Sequence, residues 1–192
     1  MANKTEDSGG AASIALDGAA HPPASIRALK YFRNGLYCSE AIFRAFNEEY
    51  GLTMQGDYNR LLTGFGSGLG ESGCACGAVT GCVMALGALA GRQYNYESER
   101  VLYTAVHKLH DEFRKKHKAI CCRVLTKNVA WNSAEHKIQC EQYMLDAADI
   151  TDRIFNAELR EYAGSKSGKK PPMKKTPLAL LRRIVSAIKQ GA

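Results

Sequence analysis

The sequence predicts an all-α protein: a compact bundle of five to six helices with a glycine-rich loop, plus a C-terminal amphipathic helix on a basic linker. Three observations predict it. Apolar residues recur at three- and four-residue spacing in several separate segments, which is the helical period. No segment alternates with the period of two that a half-buried strand shows. Glycine stands where the periodic segments break off. With 192 residues the chain suffices for one domain with a tail.

Residues 1–24, with Gly9-Gly10, many alanines and Pro22-Pro23, lack apolar periodicity and read as a flexible leader. Ile26, Leu29 and Phe32 form the face of a first helix, for which Ser25 can serve as N-cap. After the Asn34-Gly35 break, Cys38, Ile42, Ala45 and Phe46 form a second face, with Cys38 on the apolar stripe. Asp57 can cap a third helix carrying Leu61, Leu62 and Phe65. The run Gly64 to Gly73 is too rich in glycine for regular structure and is expected to be a tight loop. Gly77 to Ala90 reads as a buried helix ended by Gly91. Its small residues Gly77, Gly81, Ala85 and Ala88 would let a backbone approach closely, either within the chain or across a homodimer interface.

Leu102, Ala105, Val106, Leu109 and Phe113 define an amphipathic helix whose basic end, Arg114 to Lys118, suits the helix dipole. The vicinal pair Cys121-Cys122 follows. Asn132 with Glu135 three residues on resembles a capping box and opens a long helix through Tyr143, Ala147, Ile150, Ile154 and Leu159, with Cys140 in its early turns. The helical domain is thus assigned to residues 25–163. In residues 164–192, a basic linker from Gly164 to Pro177 leads to a tail helix with an apolar side of Leu178, Leu181, Ile184, Val185 and Ile188.

The net charge of +7 is unevenly placed: eight of the 26 basic residues and none of the 19 acidic ones lie from Gly164 onward, leaving 18 against 19 before it. The body is therefore nearly neutral. A basic amphipathic tail suits anionic lipid headgroups, so membrane-surface contact through residues 178–189 is expected. Nucleic acid is not an expected partner, since the body offers no basic face and the tail no aromatic side chains for stacking. Met1 to Ser25 lacks the basic start and apolar centre of a secretory signal, and no apolar run is long enough to span a bilayer. The expected location is cytoplasmic, with the tail allowing a peripheral position at the membrane.

Cytosolic thiols are kept reduced, so the seven cysteines point to metal binding or redox chemistry rather than structural disulfides. The strongest local signal is Gly73-Cys74-Ala75-Cys76-Gly77-Ala78-Val79-Thr80-Gly81, a cysteine set between a glycine loop and a buried helix's N-terminus. Free N–H groups and the dipole there favour thiolate over thiol, so Cys76 is expected to be the most activated thiol. Cys82, within the helix, reads as a small apolar filler.

These residues resemble the family of redox-active proteins named for a C-GCAxxG-C-C cysteine pattern, which carries a CGAxxG motif, here Cys76-Gly77-Ala78-Val79-Thr80-Gly81. The upstream cysteine of the pattern matches Cys38, and the two downstream ones match Cys122 (or Cys121) and Cys140, so the resemblance covers about residues 25 to 155. It implies a small helical protein whose four cysteines work by thiol–disulfide exchange or by holding an iron–sulfur cluster. Cys74 and Cys121 stand close enough in sequence to substitute for Cys76 and Cys122 as ligands.

The leading expectation is electron transfer to a protein redox partner through an iron–sulfur cluster ligated by Cys38, Cys76, Cys122 and Cys140, with Gly77 and the glycine loop supplying N–H donors. A second expectation is a thiol–disulfide oxidoreductase with Cys76 as the attacking thiolate. A third is a zinc-stapled helical interaction module, although the paired C-x₂-C knuckles of structural zinc are missing. Gly68-x-Gly70-x-x-Gly73 matches a dinucleotide fingerprint but lacks the preceding strand, and no C-x-x-C-H occurs, so neither nucleotide nor c-type haem is expected. His107, His110 and His117 lie in a strongly charged helix and are expected to face solvent, with His117 the nearest to the cysteines.

Overall fold

In a computed structural model, which describes residues 20–52, 58–92 and 94–160, five long helices and two short ones pack without any strand among the described residues. The long ones are α1 (Pro23–Arg33), α2 (Cys38–Tyr50), α4 (Gly77–Ala90), α5 (Arg100–His117) and α7 (Ala134–Ile154); the short ones are α3 (Tyr58–Leu62) and α6 (Cys122–Leu125). Most of the leader, Asp57, the linker and the tail helix lie outside the described residues.

Helix α1 begins earlier than the sequence suggests. Pro23 takes its first position, where a missing N–H costs nothing, and Ser25 is buried inside the helix rather than capping it. Glu40 opens α2 by accepting the Tyr37 N–H at 2.9 Å, while its other oxygen accepts the Thr63 hydroxyl at 2.6 Å. That carboxylate ties the start of α2 to the 3₁₀ turn Thr63–Phe65 following α3.

Helix α2 packs between α1 and α4, and α7 closes against α1, α4 and α5. Phe43, Phe46, Leu86, Leu109, Phe113 and Met144 fill the space between them. The small residues of α4 serve an intrachain contact. A Cβ at Gly81 would lie 2.9 Å from the Ser39 Cα, and one at Gly77 would lie 3.1 Å from the Cys38 Cβ, so glycine here sets how closely α2 approaches.

The glycine run is irregular in an unusual way. Ser67, Gly68, Leu69, Gly70 and Glu71 all have φ between 52° and 72°, which makes one turn of left-handed helix, closed by the Gly70 N–H on the Gly66 carbonyl at 3.0 Å. Non-glycine residues pay about 1–2 kcal/mol each for this conformation, so Gly68 and Gly70 lower the cost of a turn in which Ser67, Leu69 and Glu71 still bear it.

An antiparallel bridge, Ala75 to Cys121, joins the end of this loop to the start of α6. Its bonds run from Cys76 N–H to Ile120 O (2.8 Å), Cys122 N–H to Cys74 O (2.6 Å) and Arg123 N–H to Gly73 O (2.8 Å). No periodicity could signal so short a ladder, yet it places the two cysteine-bearing segments side by side.

Candidate redox site

Cys38 is the first residue of α2, Cys76 caps α4, Cys122 starts α6, and Cys140 lies two turns into α7. All four line one cavity of about 570 Å³. Ser67 and Gly68 of the left-handed turn form part of its wall, and Tyr37 and Trp131, each more than two-fifths exposed, stand at its rim. A Cβ at Gly68 would fall 2.6 Å from the Cys122 Cβ, so the loop can lie against that cysteine only as glycine.

Cys74 and Cys121 are not among the walls. Cys74 is exposed, and the Cys121 thiol donates to the Gly73 carbonyl at 3.0 Å. Cys82 is fully buried on α4, beside Thr151.

The four thiols differ in acidity. Burial pushes Cys76 up to about 12, despite N–H groups of Ala78 and Val79 that pull the other way. At this helix N-terminus, removing water from the sulfur outweighs the first-turn N–H groups. Burial likewise raises Cys122 to about 11. Cys38 is also raised well above its ordinary value, with its interaction with Cys140 as the largest cause and burial adding to it. Cys140 is the one of the four whose pKa falls, its interaction with Cys38 being the largest cause and outweighing burial, which makes it the most activated of them.

Sequence reasoning overlooked His136, one helical turn before Cys140 and only 7% exposed. Its Nε2 lies 3.8 Å from the Cys140 sulfur, its Nδ1 accepts the Asn132 N–H at 3.3 Å, and Trp131 packs on its ring at 4.5 Å. The i, i+4 spacing of His136 and Cys140 was a readable signal. Ser133, not Asn132, caps α7, its hydroxyl accepting the His136 N–H at 3.1 Å, because Asn132 takes a positive φ of 62° and turns its N–H to the imidazole.

Arg33, beside the mouth, makes a two-pronged ion pair at 2.9 and 2.8 Å with Glu141, whose side chain is 6% exposed. The Tyr143 hydroxyl donates to the Leu125 carbonyl at 2.9 Å on another wall. His117 does not reach the cysteines, nor does it face solvent; its Nε2 sits 2.9 Å from Asp146 Oδ2, with its ring against Phe113 and Tyr143. His107 is exposed, and His110 lies 2.8 Å from Asp111.

Residues 36–154 match the family described as "Putative redox-active protein (C_GCAxxG_C_C)". The chain belongs to this family. No curated protein and no solved structure matches it.

The matched span of this C_GCAxxG_C_C protein begins just before Cys38 and ends past Cys140, so it contains the whole cavity wall contributed by cysteine. Four thiols around one space are the donor set that iron–sulfur clusters take. A single zinc ion needs ligands drawn to about 2.3 Å from one point. Among the described residues, no three Cys, His, Asp or Glu side chains stand grouped as the ligands of a metal ion. No helix of the described residues is long and apolar enough to cross a membrane.

Proposed function

We propose that the protein transfers electrons to a protein partner through an iron–sulfur cluster held by Cys38, Cys76, Cys122 and Cys140. The observation that carries this reading is that these four cysteines, from four separate segments, line a single cavity of about 570 Å³. When bound, such a cluster supplies one-electron chemistry at a potential tuned by the hydrogen bonds and solvent around its thiolates.

The chain's own residues are suited to hold it. Gly68 and Gly77 let backbone lie against Cys122 and Cys38, and the Ala78 and Val79 N–H groups already point at the Cys76 sulfur. The burial that keeps Cys38, Cys76 and Cys122 protonated also means that loading would release protons, since thiolates are the ligands. Tyr37 and Trp131 at the rim offer a partner an apolar approach to the centre.

The opposite acidities of Cys38 and Cys140, which share the cavity, favour a second reading, thiol–disulfide exchange. In it the Cys140 thiolate attacks a partner's disulfide and expels one partner thiolate. Cys38 then loses its proton and attacks Cys140 of the mixed disulfide, leaving a Cys38–Cys140 disulfide and a partner reduced by two electrons. Cys76, whose pKa burial raises, is less suited to the attack than Cys140.

Anaerobic purification followed by an absorption spectrum with iron and sulfide analysis separates these readings. A brown protein with near-stoichiometric iron and sulfide is expected. A colourless, metal-free protein that forms a Cys38–Cys140 disulfide on mild oxidation overturns the cluster in favour of exchange. A colourless protein holding one zinc ion overturns both.

A further inference from the structure

We propose that His136 is a positioning residue of the cysteine centre, its Nε2–H donating to the Cys140 sulfur and stabilising negative charge there. The inference rests on the reading that Cys140 is a working residue of that centre. Three contacts fix the ring. The Asn132 N–H, turned inward by a φ of 62°, points at Nδ1 from 3.3 Å. Two N–H groups cannot face each other, so Nδ1 carries no proton and the neutral ring's proton is on Nε2. Nε2 is the nitrogen that stands 3.8 Å from Cys140 Sγ.

The other two contacts hold the ring in place. The Ser133 hydroxyl caps α7 on the His136 N–H at 3.1 Å, which sets the backbone of that turn. The Trp131 ring packs at 4.5 Å and leaves the imidazole only 7% exposed. Cys140 thus has the His136 imidazole as a donor, in a site where low dielectric strengthens the bond. Sulfur carries more negative charge in the reduced centre, whether as a cluster ligand or as a free thiolate, so this N–H favours the reduced state.

The test uses the full chain. In the reduced, metal-free protein, long-range ¹H–¹⁵N NMR is expected to show the His136 Nε2–H tautomer, with a proton shift that moves in Cys140→Ala and stays in Cys82→Ser. An Nδ1–H tautomer, or a shift indifferent to Cys140→Ala, overturns the proposal. In the redox-competent protein, His136→Phe keeps a ring against Trp131 but removes the donor. At a fixed applied potential it should move the oxidised-to-reduced ratio about tenfold toward oxidised, which is 59 mV for one electron and about 30 mV for two. His136→Gln, which retains an N–H, should recover most of that shift, and equal potentials for the Phe variant and the wild type would sink the idea. If His136→Phe does not fold, the tautomer result decides alone. A protein that lacks iron and sulfide but shows the Nε2–H tautomer and its dependence on Cys140 disproves the cluster and leaves His136 in its role.

Discussion

Gly68→Ala tests whether the left-handed turn is what brings the loop onto Cys122. Gly68 has φ +72°, and an added Cβ would lie 2.6 Å from the Cys122 Cβ and 3.0 Å from the Cys74 nitrogen. The left-handed conformation costs an alanine about 1–2 kcal/mol. Overpacking adds about 1–3 kcal/mol, because the obstacles are a Cβ and backbone rather than a flexible side-chain end. The sum centres near 3.5 kcal/mol, a fall in Tm of roughly 7–14 °C for a chain of this size. Gly87→Ala is the matched control: it lies within α4 with nothing within 4 Å of an added Cβ, and alanine there should stabilise by about 0.5–1 kcal/mol. Thermal and urea unfolding of both variants, with iron content of the purified proteins, measures the effect. A Gly68→Ala protein within about 0.5 kcal/mol of wild type would refute the close approach, since surface-like changes fall in that range.

Serine at Cys38, Cys76, Cys122 or Cys140 should each abolish iron retention, read as loss of visible absorption, whereas serine at Cys74, Cys82 or Cys121 should keep it. Burial works against ionisation of Asp146, but hydrogen bonds from His117, Lys116 and Gln142 outweigh it and hold its carboxyl down at about 2. Its folded pKa is depressed, so its stabilisation is present above the ordinary carboxylate range and is lost as pH falls through about 2. Asp146→Asn should therefore cost about 2 kcal/mol at pH 7, and the gap to wild type in urea melts should close between about pH 4 and pH 2. Arg33→Ala leaves the buried Glu141 carboxylate without its two-pronged partner and should cost about 2 kcal/mol, discounted because Arg33 is 36% exposed; Arg33→Lys should recover only part of this in the same melts.

The long helices were legible because each buries one stripe, and the 3.6-residue period survives in the order of apolar residues. Ile42 and Phe46 on α2, Leu109 and Phe113 on α5, and Ala147 and Ile154 on α7 are all buried as that period requires. The four cysteines were legible as a set because a glycine loop and a motif mark them. Helix starts were harder to place. Pro23 and Ser133, rather than Ser25 and Asn132, mark the starts of α1 and α7, since a cap depends on the backbone angle of one residue and on which N–H groups tertiary packing leaves free.

The sequence by itself determined an all-α domain, the glycine loop before a small-residue helix, and membership of a cysteine family. Only the tertiary structure decided which thiols share a cavity and which of them is acidic. Cys38 and Cys140 are far apart in the chain, yet the proximity of each raises the pKa of one and lowers that of the other. Cys76 has the local setting of an activated thiol, while burial raises its pKa. Acidity depends on water exclusion and on charges within a few ångströms, and these are fixed by segments that meet only when α2, α4, α6 and α7 pack together. For the same reason the bridge from Ala75 to Cys121 and the left-handed turn against Cys122 have no periodic signature in the sequence. Each is a contact between segments, and local pattern records only what one segment buries.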